Sequence, residues 1–197
     1  AIQVAKANHP DIEHIGDVKD IDFTKFKNID LLSAGFPCQS YSVAGNRKGL
    51  KDERGQLIYD VFRALRDCQP KYFLLENVKG LLTIDKGQTF KNILEELDNC
   101  GYDVSWKLIN SALLTAQNRN RVYIVGKRKD VEGSLEIEQP KDQGIYLKDI
   151  IEENVDEKYY ISEKALKTYI HNGKIKNLKE LDEKSVCLTA TTHKGFG

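Results

Sequence analysis

Apolar residues recur along the first two thirds of the chain in two rhythms. Short continuous runs over 29–34 and 72–75 have strand length, and the second, unbroken by polar residues, predicts a strand covered on both faces. Leu57, Val61, Phe62 and Leu65, and later Phe90, Ile93, Leu94 and Leu97, fall at helical spacing. They predict amphipathic helices over 56–67 and 89–99, the first closed by Pro70 and the second capped by Gly101. Strands over 102–109 and 121–125 follow with no helix between them, which predicts an antiparallel edge. Upstream, 1–8 reads as the end of a helix stopped at His9-Pro10, and 12–18 as a short strand ending in Gly16-Asp17. Strands alternating with helices define an α/β chain built on a mostly parallel, doubly wound sheet. After residue 129 this alternation gives way to Pro140, charge runs and irregular spacing. We expect a domain boundary within 130–143 and a helix near 162–170.

Composition narrows the classes. Lys and Arg total 30, as do Asp and Glu, so the net charge is zero over 197 residues. No overall basic excess marks a nucleic-acid-coating protein, and any polyanion site must be local. Cys38, Cys68, Cys100 and Cys187 show no paired spacing, and His9, His14, His171 and His193 show no metal-ligand spacing. No disulfide framework and no metal are expected, and a reducing, cytoplasmic setting fits. No apolar run reaches membrane-spanning length, and there is no signal peptide. The chain contains no Met and opens in a helical pattern, which reads as an internal fragment of a longer protein.

Chemistry-bearing residues gather at strand ends. Gly35-Phe36-Pro37-Cys38 follows the run at 29–34, and a thiol in a sharp loop at the carboxyl end of a sheet strand is placed for nucleophilic attack. The stretch 44–55 is rich in glycine and charge and reads as a long functional loop. Glu76-Asn77 ends the strand at 72–75, and Arg119 and Arg121 stand at the start of the last strand. A nucleophile, a carboxylate and two guanidiniums converging on one cleft suggest covalent catalysis on an electron-poor ring or carbonyl.

Three segments carry a resemblance: Gly35-Phe36-Pro37-Cys38-Gln39-Ser40-Tyr41-Ser42-Val43-Ala44-Gly45, Glu76-Asn77-Val78-Lys79-Gly80, and Gln117-Asn118-Arg119-Asn120-Arg121-Val122-Tyr123. In order and approximate spacing they resemble signature blocks of the C5-cytosine DNA methyltransferases of bacterial and phage restriction-modification systems, over roughly residues 1–128. The resemblance implies a Rossmann-like sheet that binds S-adenosylmethionine, with the first cofactor strands lying upstream of residue 1. It implies a catalytic domain over 1–130, and over 131–197 a linker and the start of a small target-recognition domain. It makes Cys38 the attacking thiol, sets Glu76 on the N3 edge of cytosine, and brings Arg121 near O2, with Arg119 orienting the cleft or meeting phosphate. Asp17 would meet the cofactor's adenine, and Pro37 its methyl-donor end. Gln39, Ser42, Arg47, Lys48, Lys51 and Arg54 would contact phosphates of double-stranded DNA around a flipped base. The implied enzyme is a cytoplasmic, nucleoid-associated monomer with a possible cognate endonuclease and no membrane. One departure is Leu113-Leu114-Thr115-Ala116, where the family often carries a Gly-Val-Pro-like run. Two rival readings stand beside this one. An RNA-directed relative would read Pro-Pro-Cys in place of Phe36-Pro37-Cys38. A catalytically silent DNA-binding paralogue would have no chemical reason to keep Cys38, Glu76 and Arg121 together.

Overall fold

A computed structural model describes residues 2–37, 57–160, 162–163 and 183–185. It contains helix α1 (Ile2–Asn8), strand β1 (Leu31–Gly35), helix α2 (Leu57–Cys68), strand β2 (Tyr72–Val78), helix α3 (Gln88–Asn99) and strands β3 (Tyr102–Asn110) and β4 (Asn120–Arg128). The chain divides into two compact units: residues 1–108 with 122–137, and residues 109–121 with 138–197.

Helices α2 and α3 start and stop where the sequence predicts, within a residue. The backbone leaves α2 through Gln69 at φ +48° into buried Pro70. Gly101, at φ +96°, takes the left-handed turn after α3 and donates its N–H to the Asp98 carbonyl at 2.9 Å. Strand order is β1-β2-β4-β3. β1 and β2 pair in parallel, from Leu31 opposite Tyr72 to Gly35 opposite Glu76. β4 runs against both its neighbours. Its last residue, Arg128, donates to the Lys71 carbonyl just before β2 at 2.9 Å, and Lys129 donates to the Gly101 carbonyl just before β3 at 3.0 Å. The expected antiparallel edge is thus the β3–β4 hairpin, with β4 on the inner side.

One face of the sheet holds the core of the first unit. Phe62 and Leu65 of α2 and Ile93 and Leu97 of α3 meet Phe73, Leu75, Tyr102, Val122 and Ile124. Tyr102 is fully buried, and its hydroxyl donates to the Pro70 carbonyl at 2.8 Å. Burial pushes its phenol far above the usual range, so it stays a neutral donor. Tyr102→Phe orphans that buried carbonyl and is expected to lower the unfolding free energy by about 1–2 kcal/mol, seen as a lower urea midpoint with unchanged slope.

Two expectations need correction. Residues 12–17 form no strand: Ile12 and Ile15 are about half exposed, at 47% and 48%, and find no partner among the described strands, and a tight 3₁₀ turn follows at Val18–Asp20. Tyr72–Leu75 is not covered on both faces. Phe73 and Leu75 are buried, whereas Tyr72 and Leu74, with Leu31 beside them at 55% exposure, face outward. None of the described elements covers that side of β1 and β2, so apolar continuity there does not translate into two-sided burial. The helix expected near 162–170 lies almost wholly outside the described residues.

Candidate active site

Strand parity aims the last residues of β2 in opposite directions. Phe73, Leu75 and Asn77 point into the core side, while Tyr72, Leu74 and half-buried Glu76 share the open side. The register partner of Glu76 is Gly35, the last residue of β1. Oε2 of Glu76 lies 3.6 Å from where a Cβ on Gly35 would stand, so the carboxylate leans over the end of β1. From there the chain runs through buried Phe36 and exposed Pro37 to Cys38.

Asn77 closes the other side of this junction. It is only 3% exposed; its Nδ2 donates to the Phe36 carbonyl at 2.8 Å, and its Oδ1 accepts the Val78 N–H at 2.9 Å. An unpartnered buried amide would cost about 1–3 kcal/mol, and here both of its ends are engaged. Asn77 was no candidate in the sequence, because a polar residue at a strand end reads as a surface position. Counting by twos from Phe73 would have put it on the buried face.

The structure therefore brings together Gly35–Pro37 and Glu76–Asn77. Asp17 sits on a different segment, exposed at the head of the Val18–Asp20 turn, where its Oδ1 accepts the Lys19 N–H at 3.0 Å. Gly16 before it adopts φ +104°, with open space where a side chain would project.

Arg119 and Arg121, both half-buried, belong to the second unit. Their segment is held by Asn110, whose Oδ1 accepts the N–H of Arg119 at 2.9 Å and of Ala112 at 3.1 Å, and whose Nδ2 donates to Asn118 Oδ1 at 3.2 Å. Ser111 adds a bond from its hydroxyl to the Gln117 carbonyl at 2.9 Å. Arg121 donates to the Asn120 carbonyl at 2.8 Å. Ser185 staples the same turn, donating to Ala116 at 2.6 Å and accepting from Asn118 at 2.8 Å. The unusual Leu113-Leu114-Thr115-Ala116 run is accommodated there by a short 3₁₀ turn over Ser111–Leu113 and burial of Ala116. Neither Asn110 nor Ser185 carries a sequence signal; each acts through pairings visible only in three dimensions.

Cys38, Gln39, Ser42, Arg47, Lys48, Lys51 and Arg54 lie outside the described residues. The two described thiols, Cys68 and Cys100, are buried, and burial pushes both up, so they stay protonated. Among the described residues no group of three or more potential ligands is placed to hold a metal, and no described helix is long and apolar enough to cross a membrane.

The Glu76 carboxylate and the Gly35–Pro37 segment that leads to Cys38 meet at adjoining strand ends of a mixed α/β sheet, at the carboxyl edge where open α/β sheets bind their ligands. The chain belongs to the C-5 cytosine-specific DNA methylase family, whose family model matches residues 1–192. It is 38% identical over 197 residues to the orphan methyltransferase M.SPRI of Bacillus phage SPR, covering 85% of this chain and 45% of that protein. It is 43% identical over 168 residues to the Type II methyltransferase M.BanI of Aneurinibacillus aneurinilyticus, covering 77% of this chain and 39% of that protein. The chain thus spans under half the length of these curated relatives. Among solved structures it matches the S. pombe Dnmt2 methyltransferase with a TM-score of 0.73 at 21% identity, covering 96% of this chain and 61% of that one. That likeness is one of fold.

Proposed function

We propose that this chain is part of a cytoplasmic enzyme that methylates C5 of cytosine in double-stranded DNA, with S-adenosylmethionine as donor, within a restriction-modification system. The observation that carries the reading is the Gly35–Glu76 pairing, which sets a carboxylate over the end of the strand that leads to Cys38. Family membership supports the choice of substrate and donor.

The ring carbon to be methylated is a poor nucleophile. In the proposed course the Cys38 thiolate adds to C6, and the C5–C6 π electrons move onto C5 and toward N3. Glu76, holding a proton at N3, stabilises the charge that develops there, an interaction stronger in the transition state than in the ground state. C5 then takes the methyl group, loses its proton, and the Cys38 thiolate leaves as the double bond re-forms. S-adenosylmethionine, when bound, supplies that methyl group.

The residues present suit such a donor. Exposed Asp17 offers an acceptor for an exocyclic amine, beside a glycine with open space around it, and exposed Pro37 presents its backbone next to the thiol loop. Arg121 would meet the base at O2, with Arg119 orienting the cleft. Gln39, Ser42, Arg47, Lys48, Lys51 and Arg54 would hold phosphates while the target base is turned out of the duplex. We assign 1–130 to the catalytic domain and 131–197 to a linker and the start of target recognition, in a monomeric enzyme.

Duplex DNA containing 5-fluorocytosine tests the reading. Fluorine at C5 cannot leave as a proton does, so the adduct persists. With S-adenosylmethionine present, mass spectrometry is expected to find Cys38 bonded to the base. DNA that binds and remains unmodified overturns the proposal. Glu76→Gln is expected to slow methyl transfer about a hundredfold while leaving DNA affinity within about threefold. An affinity loss as large as the rate loss would make Glu76 a binding residue.

A further inference from the structure

We propose that Asn77 is the positioning residue of the nucleophile loop: one buried amide locks the backbone leading into Cys38 to the strand that carries Glu76. The inference rests on the methyl-transfer reading above and adds to it a residue to which that chemistry gives no part.

The geometry is specific. The Val78 N–H can only donate and the Phe36 carbonyl can only accept, so the amide has one possible orientation, oxygen to Val78 and nitrogen to Phe36. Fixing the Phe36 carbonyl fixes the plane of the peptide that joins it to Pro37. The Pro37 ring then sets the next φ near −65°. Two consecutive elements of backbone freedom between β1 and Cys38 are thereby removed. The Phe36 side chain is itself buried in the core, so the bonded carbonyl is anchored from both sides. The same amide belongs to the residue after Glu76. A displacement of the Phe36–Pro37 backbone relative to the carboxylate must stretch a bond that water does not reach. The thiol and the carboxylate must act together on one bond system in one ring, and a misplacement of about 1 Å costs on the order of a hundredfold in rate.

A role confined to folding would give the same contacts, so the test separates the two. Asn77→Leu and Asn77→Asp are made in the protein as its gene encodes it, and kcat, KM for DNA and thermal midpoint are measured. Leucine has no donor for Phe36. Its kcat is expected to fall about a hundredfold, with KM for DNA within about threefold of wild type at a temperature where the variant is folded. Aspartate behaves differently with pH. Its ionised carboxylate opposes the Phe36 carbonyl, which raises its pKa, and its protonated form regains an O–H donor at the same place. Relative to wild type at each pH, which cancels any pH dependence common to the two proteins, the kcat of Asn77→Asp is expected to recover severalfold from about pH 8.5 to about pH 6. The leucine variant's ratio stays flat. A folded leucine variant with kcat within about threefold of wild type overturns the proposal, as does an aspartate ratio that does not change with pH. If the wild-type protein transfers no methyl group, the methyltransferase reading fails by itself, and alkylation of Cys38 by iodoacetamide decides the positioning role. A severalfold change in that rate between wild type and Asn77→Leu supports it, and an unchanged rate overturns it.

Discussion

Replacing Cys38 by serine is expected to cut methyl transfer by at least about ten-thousandfold, since loss of a nucleophile can cost on the order of a millionfold. The argument is one of acidity and softness. At neutral pH a few per cent of an unperturbed thiol is thiolate, and more where positive groups are near, whereas an alkyl alcohol offers almost no alkoxide. Addition to C6 must interrupt an aromatic ring, so a neutral hydroxyl does not replace the thiolate. Cys68→Ser and Cys100→Ser serve as matched controls. Both thiols are buried, and burial holds both protonated, so these changes are expected to alter stability and leave the rate per folded molecule unchanged. DNA binding by Cys38→Ser is expected to survive, because phosphate contacts do not depend on the thiol. A radiolabelled-methyl assay decides the matter: turnover by Cys38→Ser near the wild-type rate would remove Cys38 from the chemistry.

Much of this arrangement is legible in the sequence, and the illegible parts share a physical cause. Helices α2 and α3 announce themselves because Leu57, Val61, Phe62, Leu65 and Phe90, Ile93, Leu97 each form one apolar stripe, and a stripe needs only one partner surface to be buried. Glu76 and Pro37 are legible as strand-end positions because each follows an apolar run of strand length. The run at Tyr72–Leu75 misleads because burial of a sheet face depends on what lies over it, which a local pattern does not contain. Residues 12–17 mislead for a related reason: nearby isoleucines make a strand only where another strand supplies hydrogen bonds. Asn77 and Asn110 are invisible for a third reason. Each is a small polar residue whose role lies in carbonyls and N–H groups up to 41 residues away in the chain. Side-chain amides bonded to backbone leave no periodicity to read.

Gly126→Ala is the structural counterpart of the Cys38 change and the larger of the expected stability effects. Gly126 lies in β4, beside β2. A Cβ there would stand 2.0 Å from Cε1 of Phe73 and 2.3 Å from its Cζ. The Phe73 ring has little room to step aside, being 1% exposed and packed edge-on against Tyr102 with ring centroids 5.1 Å apart. A glycine inside a strand often marks such a close approach. Overpacking of this kind costs about 3 kcal/mol, at the upper end of the usual range. A double-mutant cycle isolates the cause. Phe73→Leu alone leaves a cavity and destabilises, but in that background Gly126→Ala is expected to cost less than about 1 kcal/mol, a coupling of about 2 kcal/mol. Equal costs in both backgrounds would show that loss of glycine, not collision with the ring, is responsible. The consequence reaches the site because Phe73 shares β2 with Glu76 and Asn77. If the strand yields rather than the ring, the carboxylate moves with it. Gly126→Ala, held at a temperature where it remains folded, is then expected to lose methyl-transfer rate with little change in DNA affinity, whereas a ring that yields in place leaves the rate intact.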